Sequence, residues 1–226
     1  MRVPIIAGRL RGLWWLPASR GKILRILGGT YEPDQTALFE RWIRPGGTVL
    51  DVGAHVGYYS LLSSLLVGDA GRVWAFEPNP KNFRFLVEHA RINRRANVHA
   101  EPAAVSSANG TARFDFGTGS GTGHLAAGGA VEVNTVRLDD FCRVRSIRPT
   151  AVKIDVEGAE GSVLEGATEM IASSRPVIFL STHGPEIHRH CLDWLRAASY
   201  HLTPIGRGAL ETSPEVLAVP SEHSAV

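Results

Sequence analysis

Short apolar runs alternate with amphipathic stretches along the chain from residue 48 onward. In the amphipathic stretches, apolar residues recur three and four positions apart, as in Pro80–Asn93. Strands that alternate with helices are typical of an α/β fold. The pattern predicts a doubly wound, mostly parallel seven-stranded sheet whose last two strands form a hairpin. The predicted strands are Thr48–Val52, Arg72–Phe76, Asn97–Ala100, Ala151–Val156, Pro176–Ser181, Tyr200–Ile205 and Val216–Val219, and the predicted helices are Gly57–Val67, Pro80–Asn93, Ala159–Ser173 and Pro185–Ala198.

The segment between the third and fourth predicted strands differs in composition. Ala112–Phe116 and Val131–Val136 are strand-like, and Gly117–Gly129 between them is dominated by Gly, Thr, Ser and Ala. Long loops of this kind are often lids or binding loops. We therefore predict an inserted β-hairpin with a mobile loop, followed by a short helix or turn that begins within Val136–Phe141.

Composition indicates one folded domain. Of the 226 residues, 44% are apolar and 20% are charged, which is the balance of a globular protein. We divide the chain into an N-terminal arm (1–30), a core domain (31–220) and a tail expected to fray (221–226). The two cysteines, Cys142 and Cys191, form no CxxC pattern. Together with the absence of a signal-like segment or a 20-residue apolar run, this favours a cytoplasmic protein.

Positive charge is concentrated in the arm, although the whole chain carries only +2. Residues 1–30 hold six of the 24 basic residues and none of the 22 acidic ones, so the remainder is net acidic. One interpretation is contact with an anionic surface, such as a membrane or a lipid-linked substrate. The other is a helix that packs on the core and covers the site.

A glycine-rich turn follows the first predicted strand, within Leu50–Tyr58. Gly53 permits a sharp turn and a close approach of a ligand to the backbone. The helix that begins at Gly57 offers backbone amides to an anionic group such as a carboxylate. A dinucleotide-binding GxGxxG turn would need glycines at the positions of His55 and Tyr58. This departure weakens the prediction of a nicotinamide-dependent enzyme.

An acidic residue closes the second predicted strand. Glu77 lies 24 positions after Gly53, and a carboxylate at this place can accept hydrogen bonds from the two hydroxyls of a ribose. A helix N-terminal carboxylate is the alternative. A nucleoside site next to an amino-acid site matches S-adenosylmethionine (SAM).

Charged residues also enter an apolar strand, in the segment Val152–Glu160. Such residues seldom lie in a buried strand unless they are paired or functional. Asp155 and Glu157 come at the carboxyl end of the strand, the edge where open α/β sheets bind ligands. We predict Lys153, Asp155 and Glu157 as catalytic residues, with a structural ion pair and helix cap as the alternative.

His183 follows the next predicted strand and is expected to face the same edge. Histidine is suited to accept a hydroxyl proton near neutral pH, so His183 is the candidate general base, and a strand or helix cap is the alternative. His124 in the glycine-rich loop is a second candidate for the site. His188 and His190 are predicted to be surface residues, and no close His, Cys and Asp spacing predicts a metal site.

Four sequence segments together resemble the FkbM family of SAM-dependent methyltransferases, over roughly residues 29–182. They are LDVGAHVGYYS, AFEPNP, PAAVSS and VKIDVEGAEGSVLEGA. The resemblance implies the Rossmann-like class I methyltransferase fold, SAM as cofactor, and O-methylation of a hydroxyl, often on a sugar, glycolipid or secondary metabolite.

The resemblance also implies site residues. Asp155 and Glu157 would face the methyl-transfer centre, and we expect Tyr31 and His124 to contact the acceptor. The family often has a glutamate two residues before the histidine, where this chain has Ser181. The residues expected to bind the methionine, ribose and adenine parts of SAM are Asp51, Gly53, Ala54, Gly57, Tyr58, Glu77, Pro78, Ala103, Ala104, Val105 and Asp155.

Other functions stay open at this point. Ser181 is compatible with a non-catalytic SAM-binding protein, and an NAD-dependent oxidoreductase is a weaker alternative. A nucleic-acid methyltransferase is disfavoured because the chain beyond the arm is net acidic and no Asn-Pro-Pro-Tyr-like motif occurs. Metal dependence is left open.

Overall fold

The computed structural model describes residues 1–19, 22–117, 123–125 and 128–223. The strands are β1 (Val3–Pro4), β2 (Trp14–Trp15), β3 (Thr48–Val52), β4 (Arg72–Phe76), β5 (Val98–Glu101), β6 (Ala103–Val105), β7 (Gly110–Asp115), β8 (His124–Leu125), β9 (Val131–Val136), β10 (Ala151–Ile154), β11 (Val177–Ser181), β12 (Tyr200–Pro204) and β13 (Glu215–Pro220). The helices are α1 (Ile23–Leu27), α2 (Pro33–Trp42), α3 (Tyr58–Val67), α4 (Pro80–Ile92), α5 (Leu138–Arg145), α6 (Glu160–Glu165), α7 (Thr168–Ser174) and α8 (Pro185–Ala197).

Seven strands form the central sheet in the order β12-β13-β11-β10-β3-β4-β5. Each pair from β11 to β5 is parallel, whereas β13 runs antiparallel to both β11 and β12. The predicted mostly parallel seven-stranded sheet and its final hairpin are therefore confirmed. The strand order reverses at β3 and β10, and the crevice outside the carboxyl ends at such a point is where open α/β sheets bind ligands.

Both faces of this sheet are buried. In β3, Val49 belongs to an apolar cluster with residues of α2 and α3, whereas Leu50 and Val52 belong to a second cluster with residues of α6, α7 and α8. Successive side chains of a strand point to opposite faces. Because both faces of the strand are covered, apolar residues occur at both odd-numbered and even-numbered positions. The strand therefore appears in the sequence as a near-continuous apolar run.

The inserted hairpin is part of a larger second sheet. β7 and β9 form the predicted antiparallel pair, but β6 also pairs in parallel with β9, and β8 pairs with β7. The predicted loop Gly117–Gly129 therefore contains a short strand at His124–Leu125. Residues 118–122 and 126–127, for which we predicted mobility, lie outside the described residues.

The helix predicted over Ala159–Ser173 is wrong in one respect, because it is two helices that break at Gly166. A Cβ at Gly166 would lie 2.2 Å from the backbone oxygen of Ser106, so the chain passes too close for a side chain. The Gly166 carbonyl accepts a hydrogen bond from the Asp139 amide (2.9 Å), and the Asp139 carboxylate accepts one from the Met170 amide (2.8 Å). Asp139 of α5 thus caps α7.

In the arm (1–30), residues 1–19 lie on the core with a β1–β2 hairpin, and the helix of the arm is the short α1. Trp15 is fully buried and stacks on His89 of α4 with ring centroids 3.8 Å apart. His89 accepts a hydrogen bond from the Leu16 amide (3.0 Å) and donates one to the Val56 carbonyl (2.7 Å). Burial lowers the pKa of His89 to about 4, so the ring is neutral at pH 7 and suited to both contacts.

The start of the predicted tail is ordered. Residues Ser221–His223 form a 3-10 turn, and Glu222 pairs with Arg175 at 2.7 Å. Residues 224–226 lie outside the described residues. Among the described helices, none has the length and apolar character to cross a bilayer.

Candidate active site

A cavity of about 560 Å³ opens at the carboxyl edge of the central sheet. The turns after β3, β4 and β10 form its floor, and the ends of β11 and β13 form one wall. The opposite end is lined by β6 and by Phe114 of β7, and Tyr31 and Glu32 border it before α2. Its size is typical of pockets for small ligands.

The two glycines of the first turn have different tasks. Gly53 lines the cavity at φ 80°, and a Cβ there would lie 1.8 Å from the Asp155 carbonyl oxygen. Gly57 does not line the cavity. It has φ 92°, and its Cβ would lie 2.7 Å from Leu86 of α4. The missing side chain of Gly53 therefore lets the end of β10 pack close to the turn. The missing side chain of Gly57 lets α4 pack close to the start of α3.

Glu77 is buried at the end of β4 and borders the cavity. Its carboxylate accepts hydrogen bonds from the backbone amides of His55 (2.8 Å) and Asn79 (2.9 Å). Burial raises the pKa of Glu77 to about 7, against the opposing effect of these amides. A buried carboxylate at this pKa gains from further donors such as hydroxyl groups.

At the floor of the cavity, Asp51 and Lys153 lie side by side on β3 and β10, and Lys153 lines the cavity. Asp51 accepts a hydrogen bond from Ser60 (2.5 Å) and does not line the cavity, so it supports the floor from below. Lys153 is buried, lies 5.1 Å from the ring centre of Tyr59, and pairs with Asp155 at 3.1 Å. Burial opposes the charge on Lys153, but Asp155 and Asp51 outweigh it and raise its pKa.

His183 brings three carboxylates together. Its Nδ1 lies 2.8 Å from Oε1 of Glu160, and its Nε2 lies 3.4 Å from Glu157 and 3.8 Å from Asp155. The Glu160 hydrogen bond raises the pKa of His183, burial opposes this, and Glu157 adds to it. The pKa of Asp155 is lowered because Lys153 outweighs the effect of burial. With Nδ1–H donated to Glu160, Nε2 is the nitrogen that can accept a proton.

A tyrosine cluster forms the wall near α2. Tyr31 and Tyr58 both border the cavity, with ring centres 4.6 Å apart. Tyr59 donates its hydroxyl to Glu32 at 2.7 Å. Burial raises the pKa of Tyr31 and of Tyr59, and Glu32 adds to both shifts. These phenols are therefore neutral hydrogen-bond donors at pH 7.

The remaining predicted site residues fall in two groups. Pro78, Ala54, Ala103, Ala104 and Val105 border the cavity. His124 does not, although Gly123 and Leu125 on either side do.

His188, predicted to be exposed, is buried. It hydrogen-bonds to Thr182 (2.9 Å) and to the Leu210 carbonyl (2.8 Å), so the prediction is wrong because the connection between β12 and β13 covers this face of α8.

The sequence of residues 51–202, which is more than half of the chain, matches the family model of the methyltransferase FkbM domain. The chain belongs to the FkbM methyltransferase family. The predicted family and the cofactor that it uses, SAM, are therefore confirmed.

FkbM relatives of this chain include two curated proteins. One is the hexuronic acid methyltransferase AglP of Haloferax volcanii, with 32% identity over 57% of this chain and 53% of that protein. The other is the 31-O-demethyl-FK506 methyltransferase FkbM of Streptomyces tacrolimicus, with 29% identity over 56% of this chain and 62% of that protein. The chain thus spans between half and two thirds of the length of these relatives.

The structure of an FkbM methyltransferase from Methylobacillus flagellatus KT superposes on 81% of this chain with a TM-score of 0.58. The superposition covers 50% of that protein at 16% identity, and it confirms the class I methyltransferase fold.

Three carboxylates of this FkbM domain were missed as site residues. Glu160 is fully buried and orients His183, whereas Glu32 and Glu215 line the cavity. Glu160 lies within the VEGAE segment quoted above, and a charged residue on the buried face of α6 is the signal that would have found it. Nothing in the local sequence around Glu215 indicates its place.

The cluster at His183 also has the arrangement of a metal site. Asp155, Glu157 and His183 each offer one ligand atom, and these atoms lie within 4.8 Å of one another. Sequence spacing predicted no metal site because the residues follow two different strands. The arrangement is compatible with proton transfer and with cation binding.

Proposed function

We propose that this chain is a SAM-dependent O-methyltransferase in which His183 accepts the proton of the acceptor hydroxyl. The observation that carries the proposal is the orientation of His183, with Nδ1 held by Glu160 and Nε2 directed toward Asp155 and Glu157. A histidine fixed in this way by a carboxylate is a common arrangement for a general base.

The cavity residues fit SAM. Glu77 would hold the ribose hydroxyls, because its buried carboxylate already accepts two amides and retains capacity for hydroxyl donors. The turn at Gly53 and Ala54 would hold the methionine part, and the apolar side chains at the β6 end suit the adenine ring. SAM supplies an electrophilic methyl group on a sulfonium, which is transferred to oxygen.

The residues around His183 would position the acceptor. The hydroxyl proton passes to Nε2, and Glu160 stabilises the resulting imidazolium through Nδ1–H. Asp155, held ionised by Lys153, accepts a hydrogen bond from the acceptor and fixes its orientation. Orientation contributes on the order of 7–11 kcal/mol of barrier reduction in favourable cases, and the positioned base roughly 10²–10⁴-fold.

The acceptor class is inferred from the names of the relatives. One is described as acting on hexuronic acid and the other on 31-O-demethyl-FK506. We therefore propose a hydroxyl of a sugar, glycolipid or secondary metabolite as the acceptor. The proposal includes contact of the basic arm with a membrane or with a lipid-linked substrate. It does not include nucleic acid as a substrate.

The test is methyl transfer from labelled SAM to a panel of sugars, lipid-linked sugars and macrolides, with Mg²⁺ or with EDTA. Replacing His183 with Ala is expected to lower kcat roughly 10²–10⁴-fold while SAM affinity, measured by calorimetry, changes little. His190→Ala is the matched control, because His190 is exposed on α8. Loss of activity in EDTA and its recovery with Mg²⁺ would assign the cluster to a cation instead.

A non-catalytic SAM-binding protein is the second candidate, favoured by Ser181 in the place of the family's glutamate. It predicts tight SAM binding with no transfer to any acceptor and no effect of His183→Ala. If the wild type does transfer methyl groups and His183→Ala does so at the same rate, the chain is an enzyme but His183 is not its base.

A further inference from the structure

Glu215 lies on the wall of the cavity next to Ser181. It is the first residue of β13, and in the antiparallel register it stands directly opposite Ser181 at the end of β11. Its side chain is half-buried and lines the cavity. A carboxylate therefore borders the site beside Ser181.

Among the described residues, the Glu215 carboxylate differs from the other cavity carboxylates because no hydrogen bond or ion pair engages it. Glu32 accepts the hydroxyl of Tyr59, Asp155 pairs with Lys153, and Glu77 accepts two backbone amides. Burial raises the pKa of Glu215, and the charges of Glu32 and Asp155 add to this. A half-buried acceptor group without a partner gains free energy from any ligand that donates to it.

The charge on this side of the cavity is negative. Four carboxylates (Glu32, Asp155, Glu157 and Glu215) face two lysines (Lys22 and Lys153). Both lysines are already engaged, Lys22 with Glu32 at 3.8 Å and Lys153 with Asp155 at 3.1 Å. Glu157 lies 3.4 Å from Nε2 of His183, so among the described residues the carboxylate that no cation pairs with is that of Glu215. A second anion brought next to Glu215 would be repelled by it.

We propose that Glu215 is an acceptor-binding residue that accepts hydrogen bonds from acceptor hydroxyls, and that it makes the site selective for uncharged polyhydroxylated acceptors over those with a carboxylate. The inference rests on the proposed function, since it assigns the acceptor side of the same cavity. It gives Glu215 no part in proton transfer or in binding SAM.

The experiment compares two sugars of equal shape, a methyl glucoside and the matching methyl glucuronide. Binding of each to the protein saturated with S-adenosylhomocysteine is measured by calorimetry, together with their methylation rates from labelled SAM. The glucoside is expected to bind at least 10-fold more tightly. Glu215→Gln is expected to weaken glucoside binding about 10-fold and to reduce the preference, because hydrogen bonds to a charged acceptor are the stronger ones.

The matched control is Glu211→Gln. Glu211 is exposed in the connection that precedes β13 and pairs with Arg196, away from the cavity. SAM affinity is expected to stay within twofold in both variants. Equal binding of both sugars to the wild type, no binding of either, or a loss of SAM affinity in Glu215→Gln would each overturn the inference.

These outcomes separate the inference from the proposed function. Wild-type protein that methylates a glucuronide as fast as a glucoside retains the O-methyltransferase function and removes the role of Glu215. Wild-type protein that transfers no methyl group to any panel member removes the function, and the binding comparison then decides the role of Glu215 by itself.

Discussion

The two halves of the cavity are built in different ways. On the β3–β4 side, the turn at Gly53 and the carboxylate of Glu77 come from two short segments, and backbone amides make most of the polar contacts. On the β10–β11–β13 side, charged side chains from three strand ends and from α6 converge on His183 and Glu215. Backbone amides are present whatever the side chains are, so the β3–β4 side suits a ligand that stays the same, such as a cofactor. Side-chain contacts change with each substitution, so the β10–β11–β13 side can change the ligand that it binds.

This difference predicts that changes on the two sides affect different measurements. Changes around Glu77 should alter SAM affinity, and changes around His183 should alter turnover. Two substitutions test that separation, and a third tests the packing of the glycine turn. They follow in order of the free energy expected.

Replacing Glu77 with Gln should have the largest effect, a loss of about 3 kcal/mol or roughly 100-fold in SAM affinity, because two hydrogen bonds to a charged acceptor are weakened. The kcat at saturating SAM should change little. Titration calorimetry measures the first and steady-state kinetics the second. Glu101→Gln is the control, since Glu101 ends the next strand and pairs with Arg145 outside the cavity. Equal losses in both variants would contradict a ribose-binding role.

Replacing Gly57 with Ala should lower the free energy of unfolding by about 2–3 kcal/mol. About 1–2 kcal/mol comes from the left-handed backbone, and the rest from the overlap with Leu86. Gly46→Ala is the control, because Gly46 also has positive φ but its Cβ would meet nothing within 4 Å. Urea unfolding separates the two contributions. A variant with unchanged stability but weakened SAM binding would show that Gly57 contacts the cofactor.

Replacing Glu160 with Gln should have the smallest effect, about a 10-fold fall in kcat, or about 1.4 kcal/mol, with SAM affinity unchanged. Glu160 raises the pKa of His183, so its loss lowers that pKa. Because the unprotonated ring is the base, the acidic limb of the kcat–pH profile should move to lower pH. A fall in kcat without a shift of this limb would indicate a purely structural role for Glu160.

The β3–β4 half was the more predictable one. β3 and β4 match the predicted Thr48–Val52 and Arg72–Phe76 to the residue, because each is a short apolar run between turn residues. The turn and Glu77 are local motifs, so their position followed once the strands were known. Asp51 and Gly57 were predicted to bind SAM but do not line the cavity. A sequence motif does not distinguish a residue that lines a cavity from one that supports its floor.

The other half depended on pairings between distant segments. Glu215 reaches the cavity because β13 is antiparallel to β11, and no local pattern specifies that register. His188 has the sequence pattern of an exposed helical residue but is covered by the connection before β13. The second sheet around β9 was only partly predicted, since β6 and β8 have three and two residues and carry little periodicity.

The reversed direction of β13 has a consequence for how such a protein can diverge. The parallel strands bring their carboxyl ends to the cavity, whereas β13 alone among the seven brings its amino end, so the residue facing the ligand directly follows a surface connection. Mutation, insertion or recombination in that connection can reshape one wall while the strands that carry the SAM motifs stay untouched. A lineage could therefore acquire new acceptors through this single segment and inherit its cofactor chemistry unchanged.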